Sequence, residues 1–179
     1  WNGIDDLSNK TILIHGEQGL GDNIQFIRYF NIIKSKAKKA LLQVDKRLVR
    51  LFQDSKISKD IFSNNDSLPK FDVHCPLLSL PFKLSTNIKN IPFNDKYLFP
   101  DIDRVKKWKK TFDKRYLNIG INWQASTNPD FDKGRSFQLN YFKNISLLKE
   151  IKLFSLQKIN GLKQLDEKEE SLKLNIIND

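Results

Sequence analysis

Residues able to do chemistry are concentrated in one short turn near the amino terminus. The stretch His15 to Asn23 reads HGEQGLGDN and places two carboxylates, Glu17 and Asp22, around the glycines at 19 and 21. An ionised carboxylate that faces a cleft can take the proton of a hydroxyl group as a general base. The turn therefore predicts acid–base chemistry or ligand binding, and Asp22 is the first candidate for the base.

The same turn is a poor match for a phosphate cradle. Gly19 and Gly21 let the chain bend sharply and approach a ligand, and a helix that starts here would present unpaired N–H groups. The third glycine of the dinucleotide fingerprint is missing, however, and an acidic residue at the helix start would repel a pyrophosphate. Asp22 is also a favoured residue type for a helix N-cap. We therefore expect no NAD or FAD site and no bound cofactor.

Two histidines and an arginine are further candidates for ligand binding. His15 and His74 lie at the ends of predicted strands, where ligands of open α/β sheets gather, and Arg28 lies on the polar stripe of the predicted helix. Glu17 is expected to bond to N–H groups of its own loop. Two histidines without a carboxylate in ligand spacing predict no metal site, and the lone Cys75 excludes an internal disulfide.

A second polar cluster follows the apolar run 117–123. Ser126, Asn128 and Arg135 bring a hydroxyl, an amide and a cation into one loop, a combination that suits a phosphate group through charge-assisted hydrogen bonds. A solvated loop without a ligand is the alternative interpretation.

The elements that must position these residues alternate between strands and helices. Periodicity predicts strands at 11–14, 40–44, 60–62, 71–75, 117–123, 152–157 and 172–177, and helices at 24–33, 46–54, 101–113 and 139–150. This alternation favours an α/β fold with parallel sheets and right-handed crossovers. The pattern restarts near residues 100–115, which predicts a domain boundary there.

The charge and length of the chain limit its function classes. The 179 residues carry a net charge of +10, which invites a nucleic-acid hypothesis, but the basic residues are scattered and no zinc spacing or RNP-type motif occurs. An anionic membrane surface or a phosphorylated ligand would use the same charge. No apolar run approaches the roughly 20 residues that span a bilayer. Because it begins at Trp1 and contains no methionine, the chain is expected to be a fragment.

Taken together, these residues resemble the glycosyltransferase region that follows tetratricopeptide repeats in many bacterial proteins. That region is similar to the heptosyltransferases of glycosyltransferase family nine. The resemblance covers most of the chain from Trp1 to Lys158, and Glu17 to Asp22 is its most specific part. It is carried by WNG at 1–3, IHGEQGLGD at 14–22, QF at 25–26, RY at 28–29, FDVHCPLLSLP at 71–81, Trp123, NP at 128–129, RS at 135–136 and SLQK at 155–158.

The resemblance implies a GT-B fold, in which two Rossmann-like domains face each other across a cleft. Residues 1–112 would form the acceptor-side domain, and 113–179 the incomplete start of the donor-side domain. Asp22 matches the position of the proposed catalytic base. The other implied contacts are substrate binding by His15, Glu17, Gln18, Gly19, Gly21, Arg28 and His74, and donor phosphate binding by Ser126, Asn128 and Arg135.

The implied activity is inverting, metal-independent transfer of a sugar from a nucleotide sugar to a glycan, lipid-linked or protein acceptor. The implied location is the cytoplasm, including the inner membrane surface, and repeats upstream would offer a surface for a protein partner. The sequence departs from the family in the donor loop, where Gln124-Ala125 replaces the usual Ala-Gly pair and Phe131 stands where a histidine is common. Such a fragment is expected to be inactive alone. Two alternatives stay open: a non-catalytic glycan- or partner-binding module, and a basic binder of nucleic acid or anionic surfaces.

Overall fold

The computed structural model describes residues 1–92, 96–125, 132, 134–168 and 170–176. The chain forms two compact units, Trp1–Val105 and Lys106–Asp179, and each contains its own parallel sheet. The division falls inside helix α5, Ile102–Thr111, and the predicted boundary after residue 112 lies just past that helix. The α/β class with parallel sheets is confirmed. Within the described ranges, no helix combines the length and the apolar character needed to cross a membrane.

The first unit is built on a four-stranded sheet with the strand order β3-β2-β1-β4. Its strands are β1 Thr11–His15, β2 Lys39–Val44, β3 Ile61–Ser63 and β4 Val73–Pro76. Its helices are α1 Leu20–Phe26, α2 Phe30–Lys36, α3 Lys46–Asp54 and α4 Leu80–Lys83, with 3-10 turns at Ile27–Tyr29 and Leu77–Ser79. All four predicted strands of this unit and helix 46–54 are confirmed.

Strand periodicity explains how the sheet meets its helices. Side chains of a strand alternate between two faces, and Ile12 and Ile14 of β1 are fully buried in one cluster with Phe30, Ile33 and Phe52 from the helices. Full burial of such side chains stabilises the fold by about 1.5–3 kcal/mol each. The polar ends of the strands are thereby placed on a rigid support.

The order of the strands reverses beside β1, which is where open α/β sheets form a ligand-binding crevice. The chain passes outward from β1 to β2 and β3, and then returns to add β4 on the opposite side of β1. Ligands of open α/β sheets bind outside the carboxyl ends of the strands where the order reverses in this way. In this unit the reversal lies between β1 and β4, next to His15 and the glycine turn.

The predicted helix 24–33 is wrong in its start and its continuity. The helix begins at Leu20, because Gly19 is extended (φ −79°, ψ 164°) and serves as the N-cap, and a 3-10 turn separates α1 from α2. Ile27, Phe30 and Ile33 are fully buried, so packing against the sheet decides the path of this segment more than uniform helix geometry does.

The second unit contains a three-stranded sheet, β5-β6-β7, with strands Leu117–Ile121, Ile151–Ser155 and Asn175–Ile176. Its short helices are α6 Lys143–Ser146 and α7 Lys163–Asp166, and its 3-10 turn is Leu139–Phe142. The predicted helix 139–150 is wrong beyond Ser146, because Leu147 and Leu148 leave the core and are 46% and 51% exposed. The core of the unit is formed by Ile121, Trp123, Leu139, Leu153 and Leu172.

Candidate functional site

A single buried asparagine holds the glycine turn that leaves β1. Asn23 is only 3% exposed, and its Nδ2 donates to the carbonyl oxygens of Glu17 at 2.9 Å and Gly19 at 2.8 Å. The backbone N–H of Gly16 donates to the Gln43 carbonyl at 2.7 Å and so extends the pairing with β2. The turn is therefore closed by contacts within its own few residues and one neighbouring strand.

Gly16 and Asn23 pack against each other and hold the turn, a role that the sequence interpretation missed. A Cβ added to Gly16 would lie 2.1 Å from Oδ1 of Asn23, so only glycine fits at this position. Asn23 Oδ1 is buried and has no hydrogen-bond partner among the described residues, and it packs against the Gly16 backbone. The available signal was a glycine directly after a strand, followed by an asparagine inside the first helical turns.

Asp22 lies at the third position of α1 and its side chain is partly exposed. Its Oδ2 accepts the backbone N–H of Gly19 at 3.1 Å. This corrects the expectation that Asp22 is the N-cap: Gly19 is the N-cap, and Asp22 reaches back to it as the acidic partner of a capping box does. One carboxylate oxygen is thus committed to the turn, and the bond orients the group.

Gln18 adopts a backbone conformation that side chains other than glycine rarely adopt. Its φ is +60°, and the residue is exposed at the tip of the turn. Strain of this kind costs on the order of 1–3 kcal/mol and concentrates at ligand sites. By contrast, a Cβ on Gly21 would meet nothing within 4 Å, so packing does not require glycine there.

The two predicted histidines lie side by side where the strand order reverses. His15 ends β1, His74 lies in the neighbouring strand β4, and the distance between His15 Nε2 and His74 Nδ1 is 3.3 Å. Burial lowers the pKa of His15 below its ordinary value, His74 lowers it further, and Glu17 acts in the opposite direction. A neutral His15 can share one hydrogen bond with His74 and still present a donor or acceptor to a ligand.

Arg28 is held by an aromatic partner from outside the turn. Its Nε donates to the Gln25 carbonyl at 2.9 Å, and its Nη2 donates to the Tyr97 hydroxyl at 3.0 Å. The guanidinium carbon lies 4.7 Å from the centre of the Tyr97 ring, and the Tyr97 hydroxyl donates to the Ile24 carbonyl. None of the described hydrogen bonds of Arg28 reaches the glycine turn. The Arg28 side chain lines a separate cavity of about 340 Å³, which Asn87 also lines.

In the second unit, one glutamine organises the start of the predicted donor loop. Gln157 is 7% exposed, and its Oε1 accepts the backbone N–H groups of Trp123 and Gln124, both at 3.0 Å. Its Nε2 donates to the carbonyls of Gln124 at 2.8 Å and Asn160 at 2.7 Å. Gln157 follows β6, so the loop after β5 is fastened by the loop after the neighbouring strand. The sequence interpretation quoted Gln157 only as part of SLQK and missed this role.

The predicted phosphate ligands are placed only in part. Ser126 and Asn128 lie outside the described residues. Arg135 is exposed, and its backbone N–H donates to the Asp132 carbonyl at 3.1 Å. Ser136 connects this segment to the loop, because its hydroxyl accepts the Ala125 N–H at 3.0 Å and donates to Asp132 Oδ1 at 2.6 Å.

Within the described ranges, no group of three or more histidine, cysteine, aspartate and glutamate side chains is arranged to hold a metal ion. In comparisons with protein-family models, curated proteins and solved structures, nothing matches this chain.

Proposed function

We propose that this chain belongs to an inverting, metal-independent glycosyltransferase that moves a sugar from a nucleotide sugar to an acceptor hydroxyl. The observation that supports the proposal is the position of Asp22. Its carboxylate is partly exposed, oriented by the Gly19 N–H and placed at the carboxyl end of β1, beside the strand-order reversal. A general base for hydroxyl activation needs this combination of fixed orientation and access.

In the proposed reaction, the acceptor oxygen forms a bond to the anomeric carbon while the bond from that carbon to the donor phosphate oxygen breaks. Asp22 takes the acceptor proton, and the nucleoside diphosphate leaves with the electron pair. Developing negative charge on the leaving group needs cations or N–H donors. Arg135, with Ser126 and Asn128, is proposed for that task.

The acceptor side is proposed to be the crevice edge formed by His15, Glu17 and His74, with the turn residues Gln18, Gly19 and Gly21. The histidine pair suits sugar hydroxyl groups, because each ring keeps one nitrogen outside the contact between His15 Nε2 and His74 Nδ1. Arg28 is proposed as a more distant acceptor contact. A glycan, lipid-linked or protein acceptor, at the cytoplasmic side of a membrane or in the cytoplasm, remains the proposed substrate class.

Two substitutions at one position test the base. The whole protein is first screened against nucleotide sugars by thermal shift, and transfer to an acceptor is then followed by mass spectrometry. Asp22→Asn keeps an oxygen for the Gly19 N–H but removes the base, so transfer should fall about 10²–10⁴-fold with an unchanged melting temperature. Asp22→Ala should also lower stability by about 1 kcal/mol, because the capping contact is lost.

Asp72 offers a matched control for this experiment. Its Oδ2 also accepts a backbone N–H, that of Thr11 at 2.7 Å, but at the opposite end of β1. Asp72→Asn should leave transfer unchanged. Transfer at the wild-type rate by Asp22→Asn would refute the proposed role of Asp22.

A second candidate is a non-catalytic module that binds a glycan or a partner. It is favoured by the capping bond of Asp22, which gives this residue a structural reason to be present without any chemistry. Calorimetry distinguishes the two candidates. A binding module should bind its glycan equally well with Asp22→Asn and show no turnover of any nucleotide sugar.

A further inference from the structure

Exposed leucines and lysines meet at the amino-terminal edge of the second sheet. Leu147 and Leu148 form the tight turn between α6 and β6 and are 46% and 51% exposed. Leu117, at the start of β5, is 63% exposed and pairs with Ile151 of β6, three residues after Leu148 in the chain. Neighbouring exposed apolar side chains at one turn are more informative than single exposed ones.

Three lysines lie beside Leu147 and Leu148. Lys149, Lys152 and Lys173 line one cavity of about 540 Å³ together with Leu147, Leu148 and Tyr116. The segments 113–117 and 147–152, with Lys173, contain five cations and two carboxylates: Lys114, Arg115, Lys149, Lys152 and Lys173 against Asp113 and Glu150. Asp113 is already engaged by Arg115 at 2.8 Å and Lys152 at 3.4 Å. We call this region the leucine–lysine surface and define it as Leu117, Leu147, Leu148, Lys149 and Lys173. It combines exposed apolar side chains with neighbouring positive charges.

We infer that the leucine–lysine surface docks on an anionic phospholipid bilayer, with the leucines in the interfacial region and the lysines on the headgroups. Apolar side chains at an exposed turn gain free energy at the acyl boundary, and each lysine near an anionic leaflet strengthens binding about fivefold. Nucleic acid would use the lysines but would leave the leucines in water. The exposed leucine pair therefore favours lipid.

The position of this surface in the second unit is compatible with ligand binding elsewhere in that unit. It lies at the amino ends of β5 and β6, whereas the Gln157-held loop lies at their carboxyl ends, roughly 15–20 Å away along the strands. Lipid contact at one edge leaves the opposite edge open. The inference does not depend on the proposed sugar transfer.

Vesicle flotation tests the inference. The whole protein should float with vesicles of phosphatidylcholine and phosphatidylglycerol at 3:1, and much less with phosphatidylcholine alone. Leu147→Ser with Leu148→Ser should weaken binding at least tenfold, and Lys149→Gln or Lys173→Gln should weaken it about fivefold each. The matched control is Leu162→Ser with Lys163→Gln, an exposed pair after β6, which should bind like wild type.

A fluorescent label reports insertion directly. Cys75 is 1% exposed, so a cysteine placed at Leu148 can be labelled selectively with an environment-sensitive dye. The emission should shift to the blue on anionic vesicles at position 148 and stay unchanged for Leu162→Cys.

Several results would overturn the inference. Two of them concern vesicles: equal flotation with neutral and anionic vesicles, and unchanged binding by the leucine variant. Displacement of the vesicles by short RNA or DNA would identify the surface as a nucleic-acid site. A protein that binds no vesicles but forms a homodimer that the leucine variant loses would identify it as a dimer interface. Asp22→Asn should float normally, and the leucine variant should retain transfer, so failure of either proposal is visible separately.

Discussion

The two loops that follow the first strand of each sheet are held in opposite ways. In the first unit, Asn23 closes the glycine turn on Glu17 and Gly19, and Asp22 caps Gly19, so each of these side-chain contacts spans at most six residues. One backbone bond, from the Gly16 N–H to the Gln43 carbonyl, adds a contact with β2. In the second unit, Trp123 and Gln124 are held by Gln157, 33 or 34 residues away, and the Trp123 indole N–H donates to the Gly161 carbonyl at 3.1 Å.

Both loops were predicted as sites from the sequence, but the residues that hold them were not. The difference is that Asn23 lies inside the predicted turn 15–23, whereas Gln157 lies more than 30 residues after the loop that it holds. A locally closed turn keeps the residues that hold it in one short segment, whereas the second loop depends on a side chain from the loop that follows a different strand. We expect the glycine turn to tolerate changes elsewhere in its unit. The loop after Trp123 should lose its shape when the loop that carries Gln157 moves.

The largest expected effect tests the long-range contact. Gln157→Leu removes four hydrogen bonds and leaves the buried Trp123 N–H and the partly buried Gln124 N–H without a partner, so the unfolding free energy should fall by about 3–5 kcal/mol. Urea unfolding followed by circular dichroism measures it. Exposed Gln138→Leu should stay within about 0.5 kcal/mol of wild type. Equal stability of the two variants would show that Gln157 does not hold the loop.

The local contact is tested by a double-mutant cycle. Gly16→Ala should cost about 2–3 kcal/mol, because the new methyl group meets Asn23 Oδ1. In an Asn23→Ala background the added cost should drop below about 1 kcal/mol, since of the three nearest atoms only Val44 Cγ1, at 3.3 Å, remains. Additive effects would contradict the pairing of the two residues.

Gly21 is the matched control for that cycle. Gly21→Ala should be neutral or stabilise α1 by up to about 1 kcal/mol, because nothing lies within 4 Å. If the same variant folds normally but loses transfer activity, glycine is required at position 21 for ligand binding and not for folding.

A smaller effect is expected from strain in the loop that carries Gln157. Ile159 has a φ of +67° and is 81% exposed, so Ile159→Gly should relieve strain and stabilise the second unit by about 1 kcal/mol. Ile88 is 92% exposed and is not in the positive-φ region, so Ile88→Gly should be neutral or slightly destabilising. Differential scanning calorimetry compares both. A destabilised Ile159→Gly would mean that its side chain makes a contact worth more than the strain.

The smallest effect concerns pH. Burial lowers the folded-state pKa of His15, so below the ordinary histidine pKa the unfolded chain binds more protons, and stability should rise as pH increases from about 5 to 7. The half-exposed position of His15 between His74 and Glu17 limits the size of this slope. His15→Asn should flatten it in urea titrations across this range, and an unchanged slope would assign the pH dependence to other groups.

Sequence periodicity predicted β1, β2, β5 and β6 well, because each alternates or runs apolar over at least three residues. Of the predicted strand 172–177, only Asn175–Ile176 is a strand in the described part of the chain. Periodicity failed for 139–150, where Leu147 and Leu148 have helical spacing but lie outside the core. The N-cap prediction for Asp22 was also wrong, because residue type alone does not distinguish an N-cap from a residue three positions later that reaches back to the cap. His15 and His74 were both predicted, but their contact at 3.3 Å depends on strand order.

By itself, the sequence determined the parallel α/β class, the position of the glycine turn and the residues able to act in it, because these follow from local periodicity and from side chains within a few positions of one another. Only the tertiary structure decided that β4 pairs with β1, that Gln157 fastens the loop after Trp123, and that leucines and lysines share one edge of the second sheet. Those facts depend on which strands become neighbours, and strand order is set by packing of the whole unit. The glycine turn after β1 depends on both. Its residues are neighbours in the sequence, whereas its position beside β4 depends on the order of the strands.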